Sequence, residues 1–311
     1  MPGPAVRARG LRKAYGSRLA VDGIDLDVRR GECFGFLGPN GAGKTTTMRM
    51  LSCLSARDGG ELSVLGIDPD LAPRALKARL GVVPQEVNLD LELTVLENML
   101  VYARYFGMRG SGARNRAVDL LRFMDLHERA GEAVAHLSGG MQRRLQVARA
   151  LVNEPEVILL DEPTTGLDPQ ARRLVWERLR DLRAGGTSVI ITTHYMDEAE
   201  RLCDRLVVLD HGVVVREGPP ASLVRDEVGA ETIEMRVAPA DAHALARAMG
   251  PRHLVEGDVV MAFGDSAHDM RGRAEATGIA WQMVAERRAT LEDLFLLLTG
   301  HSLREGSPGG D

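Results

Sequence analysis

Lysine is nearly missing from this 311-residue chain: of 39 basic residues, only Lys13, Lys44 and Lys77 are lysines. Such an arginine bias points to a GC-rich genome rather than to arginine chemistry, and it makes Lys44 conspicuous. Cysteine is scarce and odd in number. Cys33, Cys53 and Cys203 lie far apart with no CxxC pair, which excludes a disulfide framework and points to a reducing compartment. Long apolar runs are absent too; stretches such as 157–160 and 294–298 stop at four or five residues, where a membrane span needs about 20. The opening MPGPAVRARGLRKAYG has no apolar core segment, so no signal peptide is expected. A net charge of −5 leaves no global basic field to recruit nucleic acid. With 44% apolar and 27% charged residues the chain is an ordinary globular one, long enough for one large or two unequal domains.

What is there is a run of short, fully apolar strands alternating with helical patterns. Strands are expected at 6–15, 24–28, 33–37, 81–84, 157–160, 188–192, 206–209 and 213–215. Helices are expected after residue 43 and at 94–107, 114–126, 141–151, 170–184 and 196–202. Buried four-residue strands between helices imply a parallel sheet covered on both faces. No strand interrupts 94–150, so that stretch reads as a helical insertion. Thr94 and Glu97 have capping-box spacing. The pattern changes after Pro219-Pro220 and Gly229. Alternating segments at 232–237 and 279–286, short strands near 252–263 and helices at 240–249 and 267–277 give the order βαββαβ, the ferredoxin-like arrangement. The expected domains are 1–224, with a helical subdomain at about 88–150, then an accessory or dimerisation domain at 225–302 and a disordered tail at 303–311. A last helix carries Leu291, Leu294, Phe295 and Leu298 at i, i+3, i+4, i+7. That stripe is free either to cover its own sheet or to dock on a neighbouring subunit.

Three motifs carry chemistry. Gly38-Pro39-Asn40-Gly41-Ala42-Gly43-Lys44-Thr45, followed by Thr46, matches GxxxxGK[ST] between a strand and a helix. Its glycines let backbone N–H groups converge on phosphate oxygens at a helix N-terminus. Lys44 reaches the terminal phosphates, and the Thr45 hydroxyl is placed to ligate Mg²⁺. The apolar run 157–160 ends in Asp161 and Glu162. Asp161 suits the metal shell and Glu162 the polarisation of an attacking water. Finally, Ser138-Gly139-Gly140 opens another helix. One nucleotide is already served by the first loop, so a second phosphate-seeking helix end asks for a second partner.

The order of these motifs, with Gln85 after a strand, Gly166-Leu167-Asp168 and His194, resembles the ATP-binding-cassette (ABC) ATPases over about residues 5–220. The resemblance implies a P-loop α/β domain binding ATP and Mg²⁺. It also implies a head-to-tail homodimer, with each ATP held between the P-loop of one subunit and LSGG of the other. By it, Tyr15 stacks on adenine, Gln85 senses Mg²⁺ and the attacking water and faces a membrane subunit, Asp168 crosses the dimer interface, and His194 contacts the γ-phosphate. The signature usually reads LSGGQ. Here position 141 is Met, which puts only a polar contact from that side chain in doubt.

A narrower likeness is to the ATPases of ABC-2-type exporters, those of daunorubicin resistance and of nodulation-factor export, with the second nearer. It implies an integral-membrane permease as partner and a peripheral place on the cytoplasmic face of the inner membrane. Val87, Leu89, Leu91, Val101 and Tyr102 offer a socket for that partner. The rival readings are a soluble ABC ATPase acting on nucleic acid or ribosomes, and an importer ATPase. The first would bring two cassettes or a long coiled coil, and the chain has neither.

Overall fold

The computed structural model describes residues 3–300. Close packing divides it into two units, Met1–Val214 and Val215–Asp311.

In the first unit β1 (Val6–Tyr15) and β2 (Arg18–Val28) form a hairpin. β3 (Cys33–Leu37) then runs into α1 (Lys44–Leu51). β4 (Gly59–Val64) returns to pair with β1, so β2-β1-β4 is a small antiparallel sheet. After α2 (Pro73–Lys77) and β5 (Leu80–Val83) come three helices: α3 (Val95–Tyr105), α4 (Gly110–Phe123) and α5 (Gly139–Ala150). The chain continues through β6 (Val157–Asp161), α6 (Pro169–Ala184), β7 (Ser188–Thr193), α7 (Met196–Leu202), β8 (Arg205–Asp210) and β9 (Val213–Gly218).

The main sheet has the order β5-β6-β7-β3-β8-β9, with every pair from β5 to β8 parallel. β3, β6 and β7 are buried at every position, as unbroken apolar strands in a covered parallel sheet must be. One face packs with α3–α6 through residues such as Leu121, Leu145, Ile158 and Trp176. The other packs with α1 and the small sheet through Phe34, Phe36, Met50 and Leu26. α3 starts with the full capping box of Thr94 and Glu97. β4 and α2 fill a stretch where the sequence pattern suggested neither. Only Leu62 and Val64 of β4 are buried, so its strand character comes from pairing with β1 some 50 residues away.

The second unit contains α8 (Pro220–Leu223) with a wider helical turn over Val224–Val228, β10 (Glu231–Val237), α9 (Ala242–Ala248), β11 (His253–Glu256), β12 (Val259–Gly264), α10 (Ala267–Ala276), β13 (Trp281–Arg288) and α11 (Leu291–Thr299). Its sheet is antiparallel in the order β11-β12-β10-β13, the ferredoxin-like arrangement. Ile233, Met235, Val260 and Ala262 face α9 and α10.

Two expectations change. The division between units falls inside β9, ten residues before 224/225, because Leu223 and Val228 are buried in the helical segment that packs with α11. The apolar stripe of α11 is mostly covered: Leu291, Leu294 and Phe295 are fully buried and Leu298 half-buried, on a helix that packs with α8, the turn 224–228 and β11. The expected tail 303–311 lies outside the described residues.

Candidate functional site

The phosphate loop leaves β3 beside β8 and closes at Gly43, the residue before α1. A Cβ on Gly38 would sit 2.4 Å from the Leu209 carbonyl oxygen. At Gly43 φ is +103° and a Cβ would meet the Ala20 oxygen at 2.4 Å. Glycine is therefore required at both positions by backbone approach alone. Lys44 opens α1 with its side chain buried, donating from Nζ to the carbonyls of Gly38 (2.6 Å) and Pro39 (3.0 Å), with Glu162 Oε1 at 3.9 Å. Burial pulls its pKa below the usual ammonium value, against the opposing charges of Glu162 and Asp161.

β6 brings the two carboxylates to the same place. The Thr45 hydroxyl lies 3.3 Å from Asp161 Oδ1, which also accepts from the Thr192 hydroxyl at the end of neighbouring β7. Two hard oxygen donors thus converge, a set that fits Mg²⁺, which takes one or two protein oxygens and leaves the rest of its shell to phosphate and water. Glu162 sits at φ 46°, in the left-handed region, held there by its N–H donating to the Thr192 hydroxyl (3.0 Å) and carbonyl (3.1 Å). Its carboxylate accepts from Gln85 Nε2 (3.1 Å) and the Thr165 hydroxyl (3.2 Å), and His194 Nδ1 lies 3.2 Å away. Burial works to raise its pKa. The hydrogen bond and charge of His194, the Lys44 charge and the Thr165 hydroxyl outweigh that and hold it below the usual carboxylate value.

Tyr15, Pro39, Asn40, Gly41, Gly43, Lys44, Thr45, Thr46, Gln85 and Glu162 line one open cavity of about 470 Å³. Tyr15 is half exposed there, with Lys13 Nζ 5.6 Å from its ring centroid. Ala42 is buried in the apolar core beneath the loop, its N–H donating to the Pro39 carbonyl. Arg18 lines the same cavity, donating to the Gly41 carbonyl at 3.3 Å. The sequence pattern did not single it out, though its position three residues after Tyr15 was visible.

Ser138, Gly140 and Asp168 line a different cavity, of about 750 Å³. Ser138 caps α5 through the Met141 N–H, and Gly139 is the first residue of that helix. Asp168 caps α6, accepting from the N–H groups of Gln170 and Ala171 at 2.9 Å. Met141 is half-buried against the core, where it packs. Of the expected socket residues, Val87, Leu91 and Val101 are exposed, whereas Leu89 is buried and Tyr102 lies under the Arg149 guanidinium, 4.9 Å from its ring centroid.

Fold and site together define an ATP-hydrolysing nucleotide-binding cassette. The chain belongs to the ABC transporter family, whose model, described as ABC transporter, matches residues 21–165. It is 46% identical over 308 residues to the Nod factor export ATP-binding protein I of Paraburkholderia xenovorans, covering 98% of this chain and all of that one. It is 45% identical over 302 residues to the protein of the same name from a Rhizobium strain, covering 97% of this chain and 99% of that one. Among solved structures it is similar to the dimeric post-hydrolysis state of the cassette MJ0796 bound to ADP and Pi. The TM-score is 0.64 and the identity 31%, over 69% of this chain and 98% of that one. No helix among the described residues is long and apolar enough to cross a membrane.

Proposed function

We propose that this chain is the ATPase subunit of an ABC-2-type exporter whose cargo is of the Nod-factor kind. It works as a homodimer on the cytoplasmic face of the inner membrane, bound to an integral-membrane permease. The observation that carries this reading is that the likeness to Nod factor export ATP-binding proteins runs through both units, over 98% of the chain, rather than over the cassette alone. The two cavities support the dimer: each holds half of the expected nucleotide contacts, and a head-to-tail pair would join the P-loop half of one copy to the Ser138 half of the other.

In that pair Tyr15 stacks on the adenine. The loop from Gly38 to Thr46 takes the phosphates, with Lys44 transferred from the Gly38 and Pro39 carbonyls to the terminal phosphate oxygens. Thr45 and Asp161, with the Gln85 amide oxygen, would hold Mg²⁺, which would supply positive charge to offset that of the phosphates. Glu162, kept ionised by its neighbours, accepts the proton of the attacking water while His194 steadies the γ-phosphate. Ser138 and the Gly139 and Gly140 N–H groups close on the same phosphate from the partner copy. Asp168 stands at the seam between the copies. Closure is passed to the permease through the exposed Val87, Leu91 and Val101 beside Gln85.

Glu162→Gln keeps the shape but cannot take a proton, and general-base contributions are about 10²–10⁴. Turnover should fall by that factor while ATP binding persists, and an ATP-loaded dimer should accumulate in analytical ultracentrifugation with Mg²⁺. Wild-type turnover in the variant sinks the role of Glu162. Export is tested in inverted vesicles carrying the chain and its membrane partner. ATP-dependent uptake of Nod factor is expected, and uptake that ignores Lys44→Ala counts against the reading.

A further inference from the structure

Arg143 is a cation with almost no access to water, four per cent exposed, and among the described residues no carboxylate lies within ion-pair distance of it. Its guanidinium is instead spread over backbone oxygens. Nε donates to Pro163 (2.8 Å) and Nη2 to Asp161 (2.7 Å) and Glu162 (3.0 Å). Nη1 donates to the Pro84 oxygen and to Gln146 Oε1 (2.9 Å). One turn further along α5, Gln146 Nε2 donates to the Glu86 carbonyl at 2.8 Å, and Arg149 donates to the Asn88 carbonyl at 2.9 Å. Residues 143, 146 and 149 therefore form one face of α5 that grips the loop 84–88, and Arg143 alone reaches past it to the peptides on either side of Glu162.

Burial draws the Arg143 pKa down to about 10, still far above neutrality, so the group remains charged and its donors stay committed. A planar fork with five N–H donors is suited to fixing several carbonyls in one plane. The group that benefits most is Glu162, whose left-handed backbone persists only where its surroundings hold it.

We propose that Arg143 is a positioning residue for hydrolysis: from the helix that begins at Ser138 it locks the Glu162 peptide and the Gln85 loop into one unit, so that movement of that helix re-aims the carboxylate and amide at the attacking water. This rests on the reading of Glu162 as the group that activates water. It links the helix that closes on the partner's nucleotide to the hydrolytic residues of the same chain. Arg143 spends its donors on the carbonyls around Glu162 and Gln85 rather than on the P-loop, so ATP affinity lies outside its reach.

The test uses the full chain. Misplacing a catalytic group by about 1 Å costs on the order of 100-fold, so Arg143→Met should lower kcat by about 10- to 100-fold while KM for ATP stays within about threefold. Arg143→Lys, which keeps the charge and three donors, should recover a large part of the loss. In the Glu162→Gln background, Arg143→Met should add almost nothing, because both changes act through the same group. Unchanged kcat in Arg143→Met overturns the proposal. So does a fall in ATP binding that matches a loss of folded protein in thermal melts, or an additive effect in the double variant. Normal turnover in Glu162→Gln alone refutes the Glu162 role instead, and leaves the kcat-against-KM split of Arg143→Met to be read by itself.

Discussion

Lys44 shows how little of a side chain's chemistry is set by its own type. The ammonium is buried, its pKa is drawn down by desolvation, and its donors are parked on the Gly38 and Pro39 carbonyls. On the proposed reading, phosphate oxygens take the place of those carbonyls as partners of Nζ. Lys44→Ala removes the one buried lysine cation facing the transferring phosphate. ATPase activity should drop by about 10³, equivalent to roughly 4 kcal/mol of transition-state stabilisation. Activity within a few-fold of wild type in a phosphate-release assay contradicts the assignment. Met141 is the opposite case. Its side chain packs on the core at the edge of the Ser138 cavity, and the phosphate donors proposed there are backbone groups, so Met141→Gln should alter turnover by less than about threefold. A tenfold change in the same assay means that position 141 reaches the nucleotide.

Among the elements, α11 is held by charge as much as by its apolar stripe. Asp293 is fully buried and accepts from the Thr290 N–H (2.8 Å) and from Arg287 at 2.6 and 2.8 Å, while Arg287 also donates to Glu234 on β10 at 2.9 Å. The hydrogen bond to Asp293 chiefly raises the Arg287 pKa, so the guanidinium stays charged throughout the neutral range. Asp293→Ala removes the carboxylate half of the Thr290–Asp293 capping box and leaves Arg287 half-buried without its main partner. A loss on the order of 3 kcal/mol is expected in urea unfolding followed by circular dichroism. A shift below about 0.5 kcal/mol, the usual range for an uninvolved surface site, means the helix is secured by Leu294 and Phe295 alone. Because Leu294 and Phe295 are fully buried, Leu294→Asp with Phe295→Asp should unfold the second unit rather than merely separate one subunit from another.

For the whole molecule, the division inside β9 says where the chain can be cut. β9 ends at Gly218 and is the last strand of the main sheet, so truncation after Gly218 spares that sheet and every residue lining the two cavities. ATP affinity, measured by equilibrium dialysis, should equal that of the full chain. Truncation after 224 is the poorer choice. It leaves α8, with the buried Leu223, without α11 that packs on it, and aggregation should follow. Weak ATP binding in the shorter form shows that the second unit supports the first.

The phosphate loop, the Asp161-Glu162 pair, the Ser138-Gly139-Gly140 helix start and the buried parallel strands were all legible as strings. The geometry each needs spans fewer than a dozen residues: a glycine where the backbone must turn, a hydroxyl or carboxylate at a strand or helix end, an apolar run where both faces are covered. The split-βαβ order of the second unit was legible for the same reason, through alternation with period two. Contacts between distant segments were not. Arg143 looked like any arginine on a basic helix, Arg18 like a turn residue and Thr192 like a buried strand position. Their roles arise from carbonyls, hydroxyls and carboxylates 18 to 59 residues away in the chain. β4 lacks a pattern of its own and becomes a strand only because β1 offers its edge. The fate of α11 followed the same logic. An apolar stripe states that something must cover it, and only the packed chain decides that the cover is its own unit, because burial is a property of three-dimensional neighbours and not of spacing.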